Sequence, residues 1–69
     1  MTVKLKDAVE CLFIIYGGKE VIRKICLATK SITRTIYSDA INDLEDIEII
    51  VEGVDQTNSD EITITYSTV

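Results

Sequence analysis

The chain has no histidine, only two cysteines and three glycines, and no basic residue after Arg34. Each shortage closes off a class of function. With no histidine, and with Cys11 and Cys26 outside any C-x-x-C spacing, the usual zinc sites are excluded. Gly17, Gly18 and Gly53 form no phosphate-binding loop, and the acids have no associated nucleophile or base, so an enzyme is not expected. Neither a metal nor a cofactor is expected. The longest apolar run, Cys11–Tyr16, falls far short of the ~18 residues that a membrane span needs. A signal peptide is not expected, because Asp7 and Glu10 interrupt the stretch that would have to be its apolar core. These exclusions point to an intracellular, cytoplasmic protein whose two thiols are free and buried.

What remains is a chain of 69 residues, 46% apolar and 28% charged, which reads as one small globular domain with a marginal core. Its net charge of −5 argues against a generic nucleic-acid binder. The charge is unevenly spread. All seven bases (Lys4, Lys6, Lys19, Arg23, Lys24, Lys30, Arg34) precede residue 35 and meet only three acids there; residues 35–69 hold nine acids. Such a chain can offer a basic face to one partner or an acidic face to another.

Apolar spacing predicts a first helix at about 4–16, with Leu5, Val9, Leu12 and Tyr16 on one face. Cys11, Ile14 and Ile15 widen its apolar arc beyond a single buried stripe, which suggests a second buried face supplied by a homodimer through this helix. Gly17-Gly18 is a helix terminator. A competing hairpin, Val9–Tyr16 with Glu20–Ala28 around the two glycines, fits the spacing less well. A second helix is predicted at about 19–29, with Val21, Ile22, Ile25, Cys26 and Ala28 inward and Leu27 anomalously outward. A third, at about 31–45, places Ile32, Ile36, Tyr37, Ala40, Ile41 and Leu44 on one arc and Arg34, Thr35, Ser38 and Asn42 on the other. From Asp46 the period becomes 2, giving strands at about 46–52 and 60–66 around a polar loop at 53–60.

Three helices followed by a two-stranded antiparallel hairpin is the element order of an α+β winged helix-turn-helix domain. The stretch Arg34-Thr35-Ile36-Tyr37-Ser38-Asp39-Ala40-Ile41-Asn42-Asp43-Leu44 resembles the recognition helix of winged-helix regulators, including the modules of DeoR-like repressors and related bacterial and archaeal proteins. Val21–Cys26 is similar to the first helix of that motif, and Glu45–Gly53 to the strand entering its wing. The resemblance spans roughly residues 20–66. It departs from the pattern at Lys30 and Ser31, where a glycine and a small apolar residue are usual, and in a wing without Arg or Lys.

The resemblance implies sequence-specific binding of double-stranded DNA by a small dimeric transcriptional regulator of viral, plasmid or archaeal type. The helix at 31–45 would enter the major groove. Arg34 would read guanine, with Ser31, Thr33, Thr35 and Ser38 making shorter contacts and Asn58 reaching from the wing. Lys19, Arg23, Lys24 and Lys30 would hold phosphates. The alternative is an acidic protein-interaction domain, an inhibitor or antirepressor, whose hairpin acids Glu45, Asp46, Glu48, Glu52, Asp55, Asp60 and Glu61 meet a basic protein partner.

Overall fold

The computed structural model describes residues 2–69 and is built on a five-stranded mixed sheet rather than on helices. In chain order the elements are β1 (Val3–Lys4), α1 (Leu5–Ile15), β2 (Lys24–Ala28), β3 (Thr33–Tyr37), a 3-10 helix (Ser38–Asp43), β4 (Glu48–Asn58) and β5 (Glu61–Thr68). The strands lie in the order β1-β4-β5-β2-β3. Every neighbouring pair is antiparallel except β2 with β5. α1 and the 3-10 helix share one face of the sheet, and the other face is open.

Period-2 alternation decides which side chains are buried. Ile25 and Leu27 of β2, Ile62, Ile64 and Tyr66 of β5, and Ile49 of β4 point toward Leu5, Val9, Leu12 and Phe13 of α1. Ile22 and Ile41 close the ends of this core. The open face carries Lys24, Cys26 and Ala28 beside Thr63 and Thr65, with Thr33, Thr35 and Tyr37 across the hairpin.

α1 lacks a side-chain cap at Lys4; instead the Leu5 N–H donates to the Ile47 carbonyl at 3.0 Å, tying the helix start to the segment that enters β4. Its end is a Schellman turn. Gly17 sits at φ 110°, and the Gly18 N–H donates back to the Phe13 carbonyl. No helix among the described residues is long and apolar enough to cross a membrane.

The winged helix-turn-helix expectation is overturned. Only the first of the three expected helices is present, and the stretches expected as helices at 19–29 and 31–45 supply β2 and β3, an antiparallel hairpin turning at Thr29–Ile32. There is no recognition helix. Both segments tolerate either period, because Ile22 with Ile25 and Ile32 with Ile36 suit a helical face. β5 decides between the two: its free edge takes β2 in parallel register, Ile25 beside Ile62 and Leu27 beside Ile64. Leu27, the misfit on the helical wheel, is 1% exposed as a strand residue. A helical turn survives only at Ser38–Asp43, where Ile41 reaches the core.

The expected hairpin at the C-terminal end exists, but as two long central strands. Residues 53–58 continue β4, so the polar loop contracts to a tight turn at Ser59-Asp60. Two register shifts, between Val51 and Gly53 and between Gln56 and Asn58, bend β4. The thiols are free but not buried: Cys11 is exposed and Cys26 half-buried. Tyr37, expected in the core, is 61% exposed on the open face.

Candidate functional site

The residues expected to contact DNA are distributed along and around the β2–β3 hairpin. Arg23, Lys24 and Ser38 gather at one end, around a shallow hollow shared with Tyr37 and Asp39. Lys30, Ser31 and Arg34 gather at the other, with Ile32, Glu45 and Tyr66. Lys24 and Arg34, the nearest cations of the two groups, lie three ladder positions apart, about 10 Å along the strands, and on opposite faces. Each hollow contains an acid beside its cations, which reduces the local field. Thr33 and Thr35 point to the open face, while Arg34, opposite Leu27, points to the face that carries the helices. Lys19 belongs to the turn after α1, where its Nζ lies 5.9 Å from the Phe13 ring centroid. Asn58 ends β4 and donates to Glu61 at 3.0 Å.

Arg34 is also engaged. One guanidinium nitrogen reaches both carboxylate oxygens of Glu45 at 2.6 Å. That contact raises the Arg34 pKa above its ordinary value and holds the Glu45 carboxyl below the usual range. Lys4 makes the corresponding pair with Asp46 at 2.8 Å, raising the lysine and lowering the aspartate. These two ion pairs pin the segment between the 3-10 helix and β4 to β3 on one side and to β1 on the other.

The most purely apolar hollow is elsewhere, where α1 overhangs β4. Val3, Asp7, Ala8, Cys11, Leu12, Val51, Val54 and Ile64 line a groove of about 290 Å³. Its origin is geometric. β1 is two residues long and pairs only with Glu48 and Ile49, so the rest of β4 has no neighbour on that side. The register shift after Val51 then leaves that side chain 40% exposed. On α1 the pairs Asp7–Cys11 and Ala8–Leu12, each four residues apart, form the flank facing the groove. Beyond the lining residues, Ile14 and Ile15 at the end of α1 are 80% and 66% exposed.

The groove's charge is one-sided. Asp7 lines it and is exposed, and the exposed Glu52 follows Val51 on β4, whereas Asp55, paired with Thr63, points to the open face. No lysine or arginine contributes to its walls. Lys4, the cation adjacent in sequence to Val3, is turned to Asp46.

No family model, curated protein or solved structure matches this chain. The sequence carried one sign of the groove: the over-wide apolar arc of the first helix, which Cys11, Ile14 and Ile15 produce. Val51 and Val54 gave none, because their exposure depends on how little of β4 the two-residue β1 covers.

Proposed function

We propose that this domain is a protein-interaction module, and that the groove between α1 and β4 takes an apolar segment flanked by lysine or arginine from a partner protein. The observation that carries this reading is the pairing of an exposed apolar groove with acids alone. An exposed apolar tract on so small a domain is a recurrent mark of a binding surface. Each aliphatic side chain seated in it would contribute about 1.5–3 kcal/mol by leaving water. Asp7, with Glu52 next to Val51, would select for basic flanks, favouring encounter with a cationic partner over an anionic one. This keeps the basic partner of the acidic protein-interaction alternative but changes the location: the contact lies along one edge of the sheet instead of across the hairpin acids.

Duplex DNA is less well supported by the geometry, because the helix that would read bases is a strand and the expected contacts lie at two ends and on two faces. Fluorescence polarisation separates the possibilities. A labelled peptide alternating leucine and lysine is titrated with the protein, alongside a leucine–glutamate counterpart and a labelled DNA duplex. Saturable binding of the first alone, weakened when Asp7 and Glu52 are both changed to lysine, is the expected result. Binding of the duplex in preference to both peptides would refute the proposal.

A further inference from the structure

The sheet's two edges are built differently. On the β4 side, two register shifts, the acids Glu52 and Asp55, and the short β1 interrupt or cover the edge, all devices that discourage a second strand from pairing there. β3 has none of them. It runs Thr33–Tyr37 with no register shift against β2, the chain contains no proline, and its one charged residue, Arg34, is folded under the sheet onto Glu45. Threonine, isoleucine and tyrosine are favourable strand residues, so this edge is a competent template for another strand.

The hydrogen-bond phase fixes which groups it offers. The Thr29 N–H donates to the Ile32 carbonyl and the Ser38 N–H to the Arg23 carbonyl, each at 2.8 Å, just outside the two ends of β3. In an antiparallel ladder bonded and non-bonded pairs alternate, so Arg34 and Ile36 spend their backbone groups on β2. Thr33, Thr35 and Tyr37 therefore direct their N–H and C=O groups outward.

We infer that β3 pairs antiparallel with β3 of a second copy about a two-fold axis at Thr35, joining the two sheets into one. This goes beyond the groove and uses the opposite edge. In that register Thr35 faces Thr35 and Thr33 faces Tyr37, so every outward-directed residue meets another and each such pair exchanges two hydrogen bonds. Thr33 with Tyr37 is also a β-branched–aromatic pair of the kind that stabilises sheets. Beyond the strand ends, Ser31 falls opposite Asp39, bringing the exposed Lys30 of one copy beside the exposed Asp39 of the other, twice per dimer. Shifting the axis by one residue would set Arg34 against Arg34, which like-charge repulsion disfavours. Self-pairing along β4 would likewise crowd Glu52 and Asp55 against their copies, so the charges assign self-association to β3. The grooves then lie at the two outer ends of the joined sheet, free for partners and able to act together.

Thr35 points to the open face away from the core, so charging it tests the contact with little effect on the fold. Sedimentation equilibrium of the wild type, Thr35→Lys, Thr35→Glu and an equimolar mixture of the two variants is the experiment, with circular dichroism confirming that each remains folded. The wild type is expected to be a dimer, each variant alone to dissociate with a dissociation constant at least ten-fold higher, and the mixture to recover the dimer through a Lys–Glu pair at the axis. A wild type monomeric at every concentration would overturn the inference. So would variants that dimerise as the wild type does, which would move the contact to α1, or a mixture that stays monomeric, which would refute the register.

Discussion

Replacing Leu27 with alanine separates the strand architecture from the helical alternative with one side chain. On a helix at 19–29 Leu27 faces outward, and truncation to the best helix former would cost nothing or stabilise slightly. In the sheet it is 1% exposed, between Ile64 of β5 and Arg34 of β3 and above the α1 core. Truncation there removes buried methyl groups and leaves a cavity, at a cost of about 2–5 kcal/mol. A domain of this length holds only about 3–10 kcal/mol in total, so the loss is a large fraction of it. With a urea m-value of about 1 kcal/mol/M, the unfolding midpoint should fall by roughly 2–3 M or more. Leu27→Val provides a graded companion at about 1 kcal/mol, measurable if the alanine variant is already unfolded. Cys26→Ala, the neighbouring half-buried residue on the open face, should cost less than about 1 kcal/mol. A Leu27→Ala protein within about 0.5 kcal/mol of wild type would refute the placement of β2 at the centre of the sheet.

The remaining expectations concern the turn, the ion pairs and the thiols. Gly18 sits at φ 91° with open space around its α-carbon, so Gly18→Ala should cost about 1–2 kcal/mol from backbone strain alone in urea unfolding. Gly17→Ala should cost more, because its new methyl would also lie 3.3 Å from the Val21 side chain. Glu45 and Asp46 have folded pKa values below their ordinary 4.5 and 3.8, so their contribution is present above about pH 4.5 and lost as pH falls through the lowered values. Glu45→Gln should flatten that part of the acid limb in a pH series of unfolding midpoints, by no more than about 1 kcal/mol because the pair is half-exposed. Cys11 should react with N-ethylmaleimide well before Cys26, read by mass spectrometry after proteolysis; equal rates would contradict the exposed groove wall.

How far the sequence revealed the fold depended on whether a segment's pattern was local. α1 was legible because Leu5, Val9 and Leu12 repeat at helical spacing and Gly17-Gly18 ends the run. β5 and the start of β4 were legible because Ile49 and the Ile62, Ile64, Tyr66 series alternate, but residues 53–58, expected as a polar loop, continue β4. Residues 19–44 were not, since Ile22, Ile25, Ile32 and Ile36 satisfy both periods and β5, the strand that takes β2, lies far along the chain, with Ile25 beside Ile62. The dense β-branching of Ile32, Thr33, Thr35 and Ile36 and the misfit of Leu27 were the local signs of a strand. The basic first half and acidic second half remain facts of the chain, but folding sets Arg34 against Glu45 and Lys4 against Asp46, which no one-dimensional charge map displays. The groove was half legible: the helix contributed its apolar excess in sequence, while the β4 wall emerged only from strand order and register.

We propose above all that the groove between α1 and β4 receives a basic, apolar protein segment. Amide-resolved NMR of the labelled protein, titrated with the leucine–lysine peptide, tests it most directly. Progressive shifts are expected at Val3, Asp7, Ala8, Cys11, Val51 and Val54, with Lys24, Thr35 and Tyr37 unmoved. Shifts confined to the β2–β3 hairpin, or none at any peptide concentration, would contradict it.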